Sequence, residues 1–128
     1  GSKMKFLANH LVNIHNVATA EAMVLGMKAG LNPQLIYDTI KDGAGSSRIF
    51  ELRAPMMIAG DYDDATMKID VWQKDLDIIG AFAATLDCPV PLFDAAVRPY
   101  RAAMDHGHAK KDTAAVCAVI EKVAGLKR

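Results

Sequence analysis

The residues from Lys3 to Lys28 carry one unbroken helical pattern, and no other feature limits the fold of this chain as strongly. Leu7, Leu11, Ile14, Ala18, Ala22 and Leu25 recur with the 3.6-residue period, and Phe6, Val17 and Val24 add a second apolar stripe. Gly30 is the expected stop. A helix apolar on more than one side has to be buried on more than one side. In 128 residues, enough for one domain with a real core, that makes it a central helix or one shared with a second subunit. It is not a membrane span, because Asn9, His10, Asn13, His15, Asn16 and Glu21 interrupt it.

The rest of the chain reads as shorter helices. Asn32 as N-cap, Pro33 at the first helical position and Gly43 as stop frame "LNPQLIYDTIKDG". Ser46 or Ser47 can cap "SRIFELRAPMM", which Pro55 is expected to break or kink. "AGDYDDAT" is a polar loop. "MKIDVWQKDLDIIGAFAATLD" is a long helix with Val71, Leu76, Ile78, Ile79, Phe82 and Ala83 as its apolar contacts, ended by "CPVP". "LFDAAVRPYRAAMDHG" is helical, kinked or begun afresh near Pro99. "DTAAVCAVIEKVAG" closes the series, with Asp112 or Thr113 as cap and Gly125 as stop. Few stretches alternate with period two, and aromatics make up only 6%, so the expected class is all-α, six helices in one domain over residues 1–128.

Fifteen basic residues balance fifteen acidic ones, which removes the electrostatic footprint of a nucleic-acid binder. Cys88 and Cys117 lie in different segments and read as reduced, buried thiols of a cytoplasmic protein.

Three groups of side chains could carry chemistry. Lys5, Asn9 and Asn16 return to one helix face at spacings of four and seven, with Asn13 close by. Such a stripe can simply solvate a surface. Asparagines are costly inside a helix, however, and beside a lysine they suit a site for hydroxyl and carboxylate groups. A shielded lysine can also give and take a proton. Asp70, Lys74 and Asp77 share a second face, which is equally the pattern of an exposed ion-pair ladder. His10, His15, His106 and His108 have no ligand spacing, so no metal is expected. Glu21 reads as a packing or capping contact, and the seven methionines as core filler.

"GSKMKFLAN" resembles the interdomain-helix motif G-x-x-x-K-x-x-x-N of the β-hydroxyacid dehydrogenase family, with Gly1, Lys5 and Asn9 at the three positions. "TAEAMVLGMKAGLNP" is similar to the stretch that follows that motif. "VWQKDLDII" resembles the K-D-L signature of a later helix, with Lys74 and Asp75 in register. The likeness covers essentially the whole chain and leans toward the L-threonate dehydrogenase branch. It implies a multi-helical domain like the C-terminal domain of 6-phosphogluconate dehydrogenase, entered by a long interdomain helix. In the family this domain follows a dinucleotide-binding domain of the doubly wound type. The sequence therefore reads as the helical part of a longer enzyme, and Gly1-Ser2 is also the dipeptide that tag cleavage leaves.

The resemblance further implies roles. Lys5 would be the catalytic lysine, exchanging a proton with the substrate oxygen. Asn9 would hold the substrate hydroxyl or carboxylate. Lys74 would approach the nicotinamide end of NAD or NADP, and Asp75 would orient helices. The substrate would be a small 2- or 3-hydroxy acid, and the domain would assemble as a homodimer or tetramer, with no nucleic-acid or membrane partner. Two other readings use the same residues: a non-enzymatic helical dimerisation module in which both lysines only solvate, and an imine-reductase-like enzyme, against which the presence of Lys5 argues.

Overall fold

The computed structural model describes residues 1–128, all as helices and connections, with a single isolated backbone bridge between Lys68 and Asp112. Six α-helices run in order: α1 (Ser2–Lys28), α2 (Pro33–Ile40), α3 (Arg48–Ala59), α4 (Ile69–Thr85), α5 (Pro91–Asp105) and α6 (Val116–Ala124). A 3-10 turn, Thr113–Ala115, leads into α6. Helix α1 is the central one, packing on all five others.

The face that α1 buries is not its leucine stripe, although Val24 of the second stripe is buried and Phe6 and Val17 pack against the core. Asn13, Asn16, Thr19, Ala20, Met23 and Val24 are buried, while Leu7, Leu11 and Leu25 are 53%, 51% and 70% exposed. The reason lies in what meets α1. Asn16 Nδ2 donates to the Tyr100 hydroxyl (2.9 Å) on α5 and to the Thr113 carbonyl (3.0 Å), and Tyr100 donates to the Asn13 carbonyl (3.0 Å). These partners let the Asn16 side chain go inside, and small side chains such as Ala20 let neighbouring helices approach closely.

The local signals mostly set the helix ends as read. Asn32 Oδ1 accepts from the Gln34 and Leu35 amides, although α2 stops at Ile40, before Gly43. Ser47 caps α3 through the Phe50 amide, and Asp112 accepts from the Ala114 amide. Gly60 and Gly125 end α3 and α6 in the left-handed region, at φ 67° each.

Four expectations need correction. Pro55 does not break α3, which continues to Ala59. Proline cannot bond the carbonyl one turn back, that of Glu51, and the Tyr37 hydroxyl from α2 donates to it instead (3.3 Å). Helix α5 likewise runs unbroken through Pro99. Val71 (55%) and Ile78 (37%) are exposed, because the face α4 buries is Ile69, Trp72, Leu76, Ile79 and Ala83. Cys88 is exposed in the connection after α4, whereas Cys117 is buried.

The most completely satisfied buried charge is Asp112. Its carboxylate accepts from the Thr66 amide (3.0 Å) and hydroxyl (3.1 Å), the Met67 amide (3.3 Å) and the Ala114 amide (2.8 Å). It also pairs with Arg53 Nε at 3.1 Å. One side chain thus ties the loop before α4 and the entry to α6 against α3.

Candidate functional site

On α1 the buried positions Asn13, Asn16, Ala20 and Met23 follow spacings of three, four and three, the line of one helix face. One turn back from Asn13 is Asn9, and one turn further back is Lys5. Both therefore continue the face that is core further along. There the cover runs out: Asn9 is half-buried and Lys5 exposed, and neither side chain bonds any other group of the chain. The stripe seen in the sequence thus divides. Asn13 and Asn16 belong to the core, while Lys5 and Asn9 face an open edge.

Two aromatic contacts fix that end of α1. Phe6 meets Phe82 of α4 with ring centroids 5.1 Å apart, and His10 stacks on Phe93 of α5 at 5.9 Å. Beside them an apolar groove of about 170 Å³ runs between α1 and α4, lined by Phe6, Leu7, Ile79 and Phe82 among others.

Helices α1 and α4 are antiparallel. The start of α1 meets the end of α4 at Phe6 and Phe82, and Asn16 reaches Thr113, whose amide bonds the Met67 carbonyl just before α4 begins (2.9 Å). Seven residues are two turns and return to the same side of a helix. Counting seven onward from Phe6 reaches Asn13, and counting seven back from Phe82 reaches Asp75. Asp75 therefore lies on the α1 side of α4. It is half-buried and has no hydrogen-bond or ion-pair partner in the chain. The resemblance implies only a helix-orienting role for Asp75, and its spacing to Phe82 puts it level with Asn13 rather than with Lys5.

Lys74 stands elsewhere on α4. It is exposed and unpaired, about 12 Å along the helix from Phe82 by the rise per residue. It points away from the buried Leu76, toward solvent. The structure thus sets Lys5 and Asn9 one turn apart on α1, with Asp75 on α4 level with Asn13 and Lys74 turned to solvent. The ion-pair ladder does not form: Asp70 pairs with Lys110 (2.6 Å) and Asp77 with Arg101 (2.8 Å), leaving Lys74 free. The bond from Lys110 holds the Asp70 carboxyl below the usual carboxylate range. Glu21 is exposed and unpaired rather than a packing contact. His108, in the turn at Gly107, has its pKa lowered mainly by burial, and no group of three or more His, Cys, Asp or Glu side chains is placed to hold a metal. No helix is long and apolar enough to cross a membrane.

Comparison with known proteins gives a consistent picture. The model of a family described as "NAD-binding of NADP-dependent 3-hydroxyisobutyrate dehydrogenase" matches residues 1–120. The L-threonate dehydrogenase of Cupriavidus necator is 38% identical over 116 residues, 91% of this chain and 39% of that protein. The Haemophilus influenzae L-threonate dehydrogenase is 33% identical over 128 residues, 100% of this chain and 42% of that protein. The solved structure of a 3-hydroxyisobutyrate dehydrogenase from Salmonella typhimurium superposes with a TM-score of 0.88 at 34% identity, covering 93% of this chain and 41% of that one. The chain spans about two fifths of the length of these relatives.

Proposed function

Because this chain belongs to the β-hydroxyacid dehydrogenase family, we propose that it is the helical, substrate-facing part of an enzyme that oxidises a small 2- or 3-hydroxy acid with NAD or NADP. In this reading a nucleotide-binding domain precedes α1 and covers the open edge at Lys5 and Asn9. The observation that carries the reading is that edge itself. A lysine and an asparagine continue the core-facing line of α1, yet neither is used by the chain.

Lys5 then takes the proton of the substrate hydroxyl during oxidation and returns it during reduction, the work of a positioned general base and acid. Asn9, one turn along, can both donate to the substrate carboxylate and accept from its hydroxyl. The nicotinamide, when bound, supplies the acceptor and donor of hydride. The unpaired ammonium of Lys74 suits the polar end of that ring, and the chain itself has no strand and no glycine-rich turn of the kind that holds a pyrophosphate. The similarity to L-threonate dehydrogenases favours a short sugar acid over an apolar hydroxy acid. Homodimer formation through the exposed apolar face of α1 completes the reading.

The experiment is a turnover assay of the full-length protein with L-threonate, 3-hydroxyisobutyrate and glycerate, each with NAD and with NADP, followed by absorbance of the reduced nicotinamide. Oxidation of at least one of these acids is the expected result. A folded protein that oxidises none of them with either nucleotide would refute the proposal.

A further inference from the structure

Helices α1, α5 and α6 leave a shallow apolar trough on the surface, made of two hollows. One, of about 250 Å³, lies between α1 and α5 and includes Ile14, Glu21 and Leu92. The other, of about 260 Å³, lies between α5 and α6 and includes Arg98 and Val123. Pro99 and Ile120 line both, so the hollows are continuous and meet there. Leu92 and Val123 are 69% and 84% exposed. Lys5 and Ile14 are nine residues apart on α1, two and a half turns, and so project from opposite sides of the helix. The trough is therefore separate from the Lys5–Asn9 edge.

Two charges mark its ends. The chain has five arginines, and Arg48, Arg53, Arg101 and Arg128 each pair with a carboxylate of the same chain; Arg98 alone does not. It has three glutamates, and Glu51 and Glu121 are paired in the same way; Glu21 alone is not. Both unpaired residues are exposed, and they stand in different hollows, Glu21 on the α1 side and Arg98 on the α5–α6 side. An apolar floor with a carboxylate at one end and a guanidinium at the other complements itself when turned half a revolution about its middle. Two-fold contacts need this property, because each protomer takes at one end what its partner offers at the other.

We infer that a second copy of this chain occupies the trough, packing Pro99 and Ile120 about a two-fold axis and pairing Glu21 of each protomer with Arg98 of the other. The inference rests on the homodimer of the proposed function, extends its contact from α1 onto α5 and α6, and fixes its register. Burial of the apolar floor drives the association, and the exposed ion pairs add little to it. Their work is to select the register, since a pairing that brings like charges together across an interface is strongly disfavoured.

Glu21→Arg and Arg98→Glu test the interface, because neither side chain bonds anything within the chain and both are exposed. Each variant sets two repulsive contacts in place of two attractive ones, so the dimer Kd from sedimentation over a dilution series should rise roughly 30-fold or more. Mixed one to one, the variants regain both attractive pairs, since one protomer then carries two cations and the other two anions. A heterodimer with a Kd within about tenfold of the parent's is expected, and the double variant, with its charges exchanged, should dimerise as well. Circular dichroism checks that each variant keeps its helicity. Single variants that dimerise within about threefold of the parent, or a mixture no tighter than either variant alone, would overturn the interface and leave the dimer and the dehydrogenase reading standing. A parent chain that stays monomeric would overturn the dimer and the interface together.

Discussion

Replacing Asp112 is the most demanding single test of how the domain is held together. Its carboxylate is fully buried, pairs with Arg53 at 3.1 Å and accepts four further hydrogen bonds from Thr66, Met67 and Ala114. Asp112→Ala leaves the Arg53 side chain, itself only 11% exposed, without its counter-charge. Removing one partner of a buried pair costs about 3–5 kcal/mol, and the orphaned amides put this case toward the upper end. For a chain of this length about 1 kcal/mol shifts Tm by roughly 4 °C, so a fall of roughly 12–20 °C is expected. Asp112→Asn keeps the shape and one acceptor oxygen, and should cost about half as much. Thermal unfolding followed by circular dichroism, with calorimetry on the same samples, gives both values. A Tm for Asp112→Ala within about 3 °C of the parent would show that the carboxylate does not carry the contacts that the structure assigns to it.

The two cysteines should separate cleanly in a thiol titration at pH 8: the exposed Cys88 reacts at once, and the buried Cys117, its thiol pushed up to about 12 mainly by burial, reacts only on unfolding. Two fast thiols per chain would contradict the burial. Because the folded state holds the Cys117 proton that the unfolded state loses near 9, this thiol's contribution to stability should be constant below that value and fall as pH rises from there toward 12, and the buried Tyr62, also shifted upward mainly by burial, works in the same direction. Denaturant midpoints that rise over this range would have the wrong sign. Light scattering at micromolar concentration should report a homodimer, and Leu11→Glu, on the exposed apolar face of α1, should return it to monomer with its helicity intact. A parent chain that is monomeric at these concentrations would remove that assembly.

The all-α class and most helix ends were legible because they rest on local chemistry. Asn32, Ser47, Asp112 and the αL glycine Gly125 act within one turn of themselves. The buried face of α1 was not legible. Leucines at helical spacing read as core, but the core side carries Asn13 and Asn16, and Tyr100 and the Thr113 carbonyl, more than eighty residues away, supply the partners that make the burial of Asn16 possible. Pro55 misled for the same reason, since a hydroxyl fourteen residues earlier in the chain serves the carbonyl it leaves free. In the candidate site, Lys5 and Asn9 could be picked out by spacing and motif. The orientation of Asp75 depended on the antiparallel pairing of α1 and α4, which periodicity within one helix does not contain.

In the proposed reaction Lys5 moves the proton of the substrate hydroxyl, and steady-state turnover of Lys5→Ala in the full-length protein, with whichever of the three acids the parent oxidises fastest, measures that role. The expected result is a kcat lower by roughly 10²–10⁴, the range for losing a positioned general acid or base, with an unchanged melting temperature, as befits an exposed side chain that bonds nothing in the folded chain. Turnover within about threefold of the parent enzyme would contradict it.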